Sequence, residues 1–368
     1  MKIFKSKIRD TKYKNLIDYA PVNDHKAIYV DIETTGFSRK NDVIYLIGFI
    51  YYENQDLIIE QFLCEKDADE YELLYKFNQV IKNYEQVIHF NGDNFDLPFI
   101  QERMKLYRIK ENLSTLNSLD FLKELRPLKK VLGTDNLKLK TMEKLAGYHR
   151  IDPFSGGELI QLYHSYKNGD KAIESTFVLH NEEDMVGLYY LNVFRPLISL
   201  KKLNLSDKNY KLSIDESSLR YYLNIPIQLP HNYYDLRLVR DDYTLLLDSN
   251  GLTLQLPIVN GEYKTYFEDY QNYYYLTKED YSIHESMASF VQSKYKKKAT
   301  KHTAYTKRYG QYIKCPIKHT HLITITKEFN NVYIFNETIN DSFILLRTED
   351  LQNLLPEIIS LLIKNLMF

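Results

Sequence analysis

The stretch Ala27-Ile28-Tyr29-Val30-Asp31-Ile32-Glu33-Thr34-Thr35-Gly36 is a short apolar run that ends in carboxylates and turn residues. Such a run suits a buried strand. In a strand, residues i and i+2 project to the same face, so Asp31 and Glu33 converge where the chain leaves the sheet. Hard divalent cations such as Mg²⁺ take a few carboxylates together with waters and phosphate oxygens. Taken by itself, Asp-x-Glu is equally a solvated strand end.

Outward from this stretch, strand and helix signals alternate. Val43 to Tyr52 and Leu57 to Leu63 read as two further strands, with a hairpin turn at Glu53 to Asp56. Leu73, Leu74, Phe77, Val80 and Ile81 have helical spacing and predict a helix over Ala68 to Asn83. Gln86 to Phe90 reads as a strand, and Pro98 to Tyr107 as a helix with proline near its first turn. Three strands in hairpin order followed by strand–helix alternation predict a mixed α/β sheet. Leu116 to Gly147 is mostly helical with a break at Gly133 to Asp135. Pro153 to Gly157 reads as a loop, and Phe177 to Phe194 as a long helix ending near Arg195-Pro196.

Two later segments add carboxylates. Asn91-Gly92-Asp93-Asn94-Phe95-Asp96 follows the strand ending at Phe90. That is the sheet edge where α/β folds place ligands, although an Asx-rich turn capping the next helix has the same composition. His180 and Asp184 are four residues apart on the long helix and share one face. A carboxylate for metal beside an imidazole for a proton suits water activation; an exposed acidic helical turn is the plainer alternative.

In order and local context, Asp31-x-Glu33, Asn91 to Asp96 and His180-x-x-x-Asp184 resemble the DEDD exonuclease superfamily. The chain is also similar to the bacterial YprB-like RNase H-like domain, with Asp120-Phe121-Leu122, Leu137 to Glu143 and His180-Asn181 as the matching intervening segments. The resemblance spans roughly Ala27 to Leu197. It implies an RNase H-like mixed five-stranded sheet flanked by helices and a metal-dependent 3′→5′ exonuclease. It further implies two divalent ions, Mg²⁺ or Mn²⁺, held by Asp31, Glu33, Asp96 and Asp184. His180 would then serve as general base, and Thr34, Thr35 and Asn91 would contact the terminal nucleotide. The family usually places His five residues before the last Asp, or Tyr four before it. Here a His stands at the four-residue spacing, which leaves the identity of the base open. Asp120 is either a group behind the ligands or a plain strand-end carboxylate. The implied partner is nucleic acid, single strands or 3′ ends, with no membrane. A non-catalytic nucleic-acid-binding scaffold and a structure-selective endonuclease are the alternatives.

Composition bounds these readings. At 368 residues the chain has room for two domains, expected at 1–205 and 206–368. A net charge of -1 means that any nucleic-acid contact depends on a local basic surface. Cys64 and Cys315 fit neither a disulfide framework nor a zinc motif, as in a reducing cytoplasm. The basic N-terminus lacks a following apolar core of secretory type. The most apolar run, Leu354 to Phe368, is too short for a membrane span.

The second half reads as a smaller α+β domain with a β-meander. Asn250-Gly251 and Asn260-Gly261 are hairpin signals, with Tyr263 to Leu276 continuing the meander. Glu285 to Lys297 and Glu349 to Met367 read as helices, and Leu322 to Thr326 and Val332 to Asn336 as strands. Between Lys294 and Lys318 basic residues interleave with Tyr295, Tyr305, Tyr309 and Tyr312, and no acid interrupts them. This composition suits a single-strand track or a solvated basic surface.

Overall fold

The computed structural model describes residues 1–14, 24–54, 56–202, 211–215, 217–225, 236–240, 243–248, 250–315, 334–338, 341–345, 360 and 363–364. Two compact units divide after Ile198.

The first unit is built on six strands: β1 (Lys2–Lys7), β2 (Ala27–Thr34), β3 (Ile44–Glu53), β4 (Asp56–Leu63), β5 (Gln86–His89) and β6 (Asn117–Asp120). Their order across the sheet is β1-β4-β3-β2-β5-β6. β1 to β4 pair antiparallel, whereas β2–β5 and β5–β6 are parallel. The expected five-stranded sheet is thus six-stranded. The added strand, Lys2–Lys7, has mostly exposed side chains and runs along the edge of β4. Its alternation of Lys and Ser with two apolar residues carries almost no burial signal, and edge strands are commonly lysine-rich. β2 and β3 are buried almost throughout, as expected for central strands covered on both faces.

Between and after these strands the described helices include α1 (Glu70–Ile81), α2 (Asp96–Leu106), α3 (Phe121–Leu125), α4 (Leu139–Leu145), α5 (Gly156–Lys167) and α6 (Glu174–Tyr190). α1 buries Leu73, Leu74, Phe77 and Ile81, the stripe that its periodicity predicts. Glu70 of α1, fully buried, ties down α2. Arg103 Nε and Nη2 donate to its two carboxylate oxygens at 2.8 and 2.5 Å, and Tyr107 Oη donates at 2.9 Å. A bidentate, charge-assisted pair of this kind fixes orientation as well as distance. α6 packs against β2 and β3. Pro196 does not end the helical path. A short helix, Arg195–Ser199, continues past it, because proline is tolerated in a first turn.

The second unit is richer in sheet than an α+β reading predicts. Its described strands are β7 (Lys211–Asp215), β8 (Arg220–Ile225), β9 (Leu236–Arg240), β10 (Tyr243–Asp248), β11 (Gly251–Tyr266), β12 (Tyr273–Leu276), β13 (Tyr281–His284), β14 (Lys296–Lys298), β15 (Tyr305–Cys315), β16 (Ile334–Thr338) and β17 (Asp341–Leu345). They form a large sheet on the long β11 and a small β13-β12-β14 sheet. Near Asn250-Gly251 the chain does turn, with Asp248 pairing Gly251 at φ +118°. Asn260-Gly261 does not turn. Both residues lie inside β11, where Gly261 pairs Gly310, since a sixteen-residue strand with a full partner outweighs a two-residue signal. The helix expected over Glu285 to Lys297 shrinks to one turn, Glu285–Ala288. Lys296–Lys298 is instead strand, paired with the tyrosine-rich β12. Leu322 to Thr326, Lys318 and most of Glu349 to Met367 lie outside the described residues.

Candidate active site

The four carboxylates of the expected set arrive on three separately anchored elements, β2, α2 and α6. Asp31 and Glu33 sit at the end of β2. Asp31 pairs across the sheet with Gly48, and its Oδ2 accepts a 2.8 Å hydrogen bond from Asn181 Nδ2 of α6. Asp96 opens α2, where the helix dipole favours a negative charge. Its Oδ1 accepts the backbone N–H of Ile32 at 3.2 Å, which holds it against β2 between the other two acids. Asp96 therefore does not cap its helix through an Asx turn; Phe95 precedes the first helical residue with no side-chain cap.

α6 brings His180 and Asp184 to the same place. His180 Nε2 lies 3.1 Å from Asp184 Oδ2 and 3.7 Å from Glu33 Oε1. Glu33, His180 and Asp184 can direct one ligand atom each to a common point, all within 4.8 Å of one another. Four buried or half-buried acids so arranged should resist ionisation together. Burial, then the charges of Asp184 and Asp96, hold Asp31 and Glu33 well above the usual carboxylate range. Burial, only partly offset by backbone N–H donors, pushes Asp96 up to about 7. Asp184 goes the other way. Burial works against its charge, but His180 and Arg150 overcome it and lower its pKa. His180 mirrors this: burial alone would depress it, and the hydrogen bond and charge of Asp184, with Asp152 behind, raise it.

Charge balance at this cluster comes from residues that sequence patterns do not single out. Arg150 Nη1 is 2.6 Å from Asp184 Oδ1, and the same guanidinium grips the fully buried Glu143 of α4 with Nε and Nη2. Asp152 Oδ2 meets His180 Nδ1 at 2.5 Å. Both residues lie in a loop that docks on α6 because Glu183, 1% exposed, accepts the backbone N–H groups of Ile151 and Asp152 at 3.0 and 2.7 Å. In sequence, His149 to Asp152 is only a short charged stretch before Pro153. Pairing it with a helix turn some thirty residues on is a tertiary fact with no local signal. Glycine makes room twice. A Cβ on Gly48 would stand 2.0 Å from Asn181 Oδ1, and one on Gly187 would stand 2.4 Å from Glu143 Oε2.

The polar groups of Thr34, which is buried, and of Thr35 and Asn91 fasten loops. Thr34 Oγ1 donates to the Gly36 carbonyl at 2.7 Å, and Thr35 Oγ1 accepts from Val43 N at 2.9 Å. Asn91 has φ +64°, a region that asparagine tolerates, and its N–H donates to Asp120 Oδ1 at 2.8 Å. Asp120, buried at the end of β6, also accepts Leu122 N at 2.9 Å and so caps α3. It shapes the loop that delivers Asp96. Phe37 is 85% exposed just beyond Thr34-Thr35-Gly36, edge-on to Phe95.

The basic, tyrosine-rich segment of the second unit is largely self-paired. Lys296 and Lys298 lie 5.5 and 4.5 Å from the centre of the Tyr274 ring, and Lys294 lies 4.7 Å from that of Tyr295. Lys294, Lys297, Lys298 and Lys301 remain exposed. No helix among the described residues is long and apolar enough to cross a membrane.

A DNA polymerase of Methanocaldococcus jannaschii is 42% identical over 45 residues, which make up 12% of this chain and 3% of that protein. The solved family B DNA polymerase of the hyperthermophilic archaeon Pyrobaculum calidifontis has a TM-score of 0.41 at 15% identity, over 47% of this chain and 25% of that one. The chain thus spans a small part of either. Residues 28–194 match the family model of the RNase_H superfamily, and this segment, with its mixed sheet flanked by helices, has an RNase H-like fold.

Proposed function

We propose that the first unit is a metal-dependent nuclease, a 3′→5′ exonuclease acting on DNA or RNA. The observation that carries this reading is the convergence of Glu33 from β2 with His180 and Asp184 from α6 on one point, beside Asp31 on the same strand and Asp96 of α2, which is bonded to the strand between them. Burying four acids with so few compensating cations is costly unless a cation joins them. An all-oxygen donor set beside one imidazole fits Mg²⁺ or Mn²⁺. The match to the RNase_H superfamily and the short resemblance to a DNA polymerase support a nucleic-acid substrate.

Two such ions, when bound, would acidify a water and stabilise the departing oxygen of a phosphodiester. Asp31, Glu33, Asp96 and Asp184 would hold them. His180, with Nε2 facing Glu33 and Asp184, orients the attacking water or takes its proton. Thr34, Thr35 and Asn91 contact the terminal nucleotide. Phe37, exposed just beyond Thr34-Thr35-Gly36, offers a ring on which a base can stack. The second unit adds contacts to the strand through its exposed lysines.

The test is incubation of 5′-labelled single- and double-stranded DNA and RNA with Mg²⁺ or Mn²⁺, and with a chelator. A metal-dependent ladder shortening from the 3′ end supports the reading. Internal cuts, or cleavage of a circular strand, identify an endonuclease instead. Strand binding without cleavage identifies a scaffold.

A further inference from the structure

We infer that Asp152 is the positioning residue of this site, acting through His180. The inference rests on the proposed nuclease reading of His180. On a helix an imidazole can present either ring nitrogen to a neighbour, so some second group must choose. Here the choice is made behind the ring: Asp152 Oδ2 accepts from His180 Nδ1–H at 2.5 Å, the two side chains being 1% and 5% exposed. Nε2 is thereby turned toward Asp184 at 3.1 Å and Glu33 at 3.7 Å.

Asp152 is itself well held. Its N–H donates to Glu183 Oε2 at 2.7 Å, its Oδ1 accepts Phe154 N at 3.2 Å, and Lys140 Nζ approaches Oδ2 at 3.7 Å. The two carboxylate oxygens thus have separate tasks, one for the loop and one for the imidazole. This division gives a reason for histidine at the four-residue spacing before Asp184: the partner that orients it comes from the loop before α5.

Asp152→Asn separates positioning from loop support. The amide oxygen can keep the Phe154 contact while its NH₂ faces His180 Nδ1. That arrangement favours the proton on the wrong ring nitrogen. The expected result is a fall in kcat of about 10²-fold or more, the scale of losing a general base. KM and the melting temperature should stay nearly unchanged, and Asp152→Asn should cause no further loss in a His180→Ala background. A readout independent of activity is the NMR resonance of the His180 Nδ1 proton. It should be downfield and slowly exchanging in the parent protein and lost in Asp152→Asn. A variant that retains its kcat, or that loses as much in the His180→Ala background, overturns the inference. So does an Nδ1 proton unaffected by the substitution. If the parent protein cleaves nothing, the nuclease reading fails, and the proton resonance alone decides whether Asp152 orients the ring.

Discussion

Asn181 reaches across from α6 to donate to Asp31 at 2.8 Å, and it does so through the space left by the missing side chain of Gly48, the residue paired with Asp31 on β3. Asn181 is fully buried, and its Oδ1 accepts from Gln61 Nε2 at 2.9 Å, so it cannot move away freely.

Gly48→Ala should therefore destabilise the protein by about 1–3 kcal/mol, the usual cost of overpacking a core. Asn181→Ala added to it should restore part of that loss, because the two changes share one volume. Urea denaturation of the three variants checks this; a neutral Gly48→Ala would contradict the close approach.

Arg150 stands between the fully buried Glu143 and the half-buried Asp184. Arg150→Met leaves Glu143, fully buried, without its cation. The expected loss is ~3–5 kcal/mol, typical of breaking one side of a buried pair. Glu143→Gln in the same chain should recover much of it. Denaturation midpoints that show no recovery would remove Arg150 from its place as counter-ion.

Stability without metal should fall as pH rises from 5 to 8. Asp96, at about 7 when folded against an ordinary value of 3.8, keeps its proton in the folded state after the unfolded chain has lost it. Folding then binds a proton, and stability declines by ~1.4 kcal/mol per pH unit for each proton so held. Asp31, Glu33 and Glu143, all raised, act in the same sense. His180, raised by its acids, also contributes stability that is lost as pH rises through its folded value. His89, lowered by burial, opposes them as a single group. Thermal melts in chelator should show the decline, and Mg²⁺ should reverse it most strongly at pH 8. A chelated protein that gains stability from pH 5 to 8 would contradict the charge arrangement.

Binding of a single strand should weaken steeply with salt. Replacing exposed Lys294, Lys297 and Lys301 with Gln should flatten the log–log slope by up to ~0.7 for each phosphate contact removed. An unchanged slope in that variant would assign these lysines to solvent and to the tyrosines beside them.

Much of the first unit is legible in sequence because its signals are local and periodic. The run from Ala27 to Asp31, the hairpin at Glu53 to Asp56 and the stripe of Leu73, Leu74, Phe77 and Ile81 each declare their element. The carboxylates are legible for a related reason, since strand ends and a helix turn fix where they project. Arg150 and Asp152 are not, because their roles depend on the docking of a loop onto Glu183. The second unit misleads where polar and basic residues occupy strands. Lys296–Lys298 pairs with β12 through backbone hydrogen bonds, which the side chains do not announce.

The claim that the four acids form a metal-dependent nuclease is tested most directly by Asp184→Asn. This substitution keeps the shape beside Arg150 and His180 but removes the charge. The parent protein should degrade a 5′-labelled strand with Mn²⁺, while the variant, folded by circular dichroism and melting as a single transition, should lose at least ~10²-fold of the rate. A folded Asp184→Asn variant that degrades the strand as fast as the parent would contradict the account.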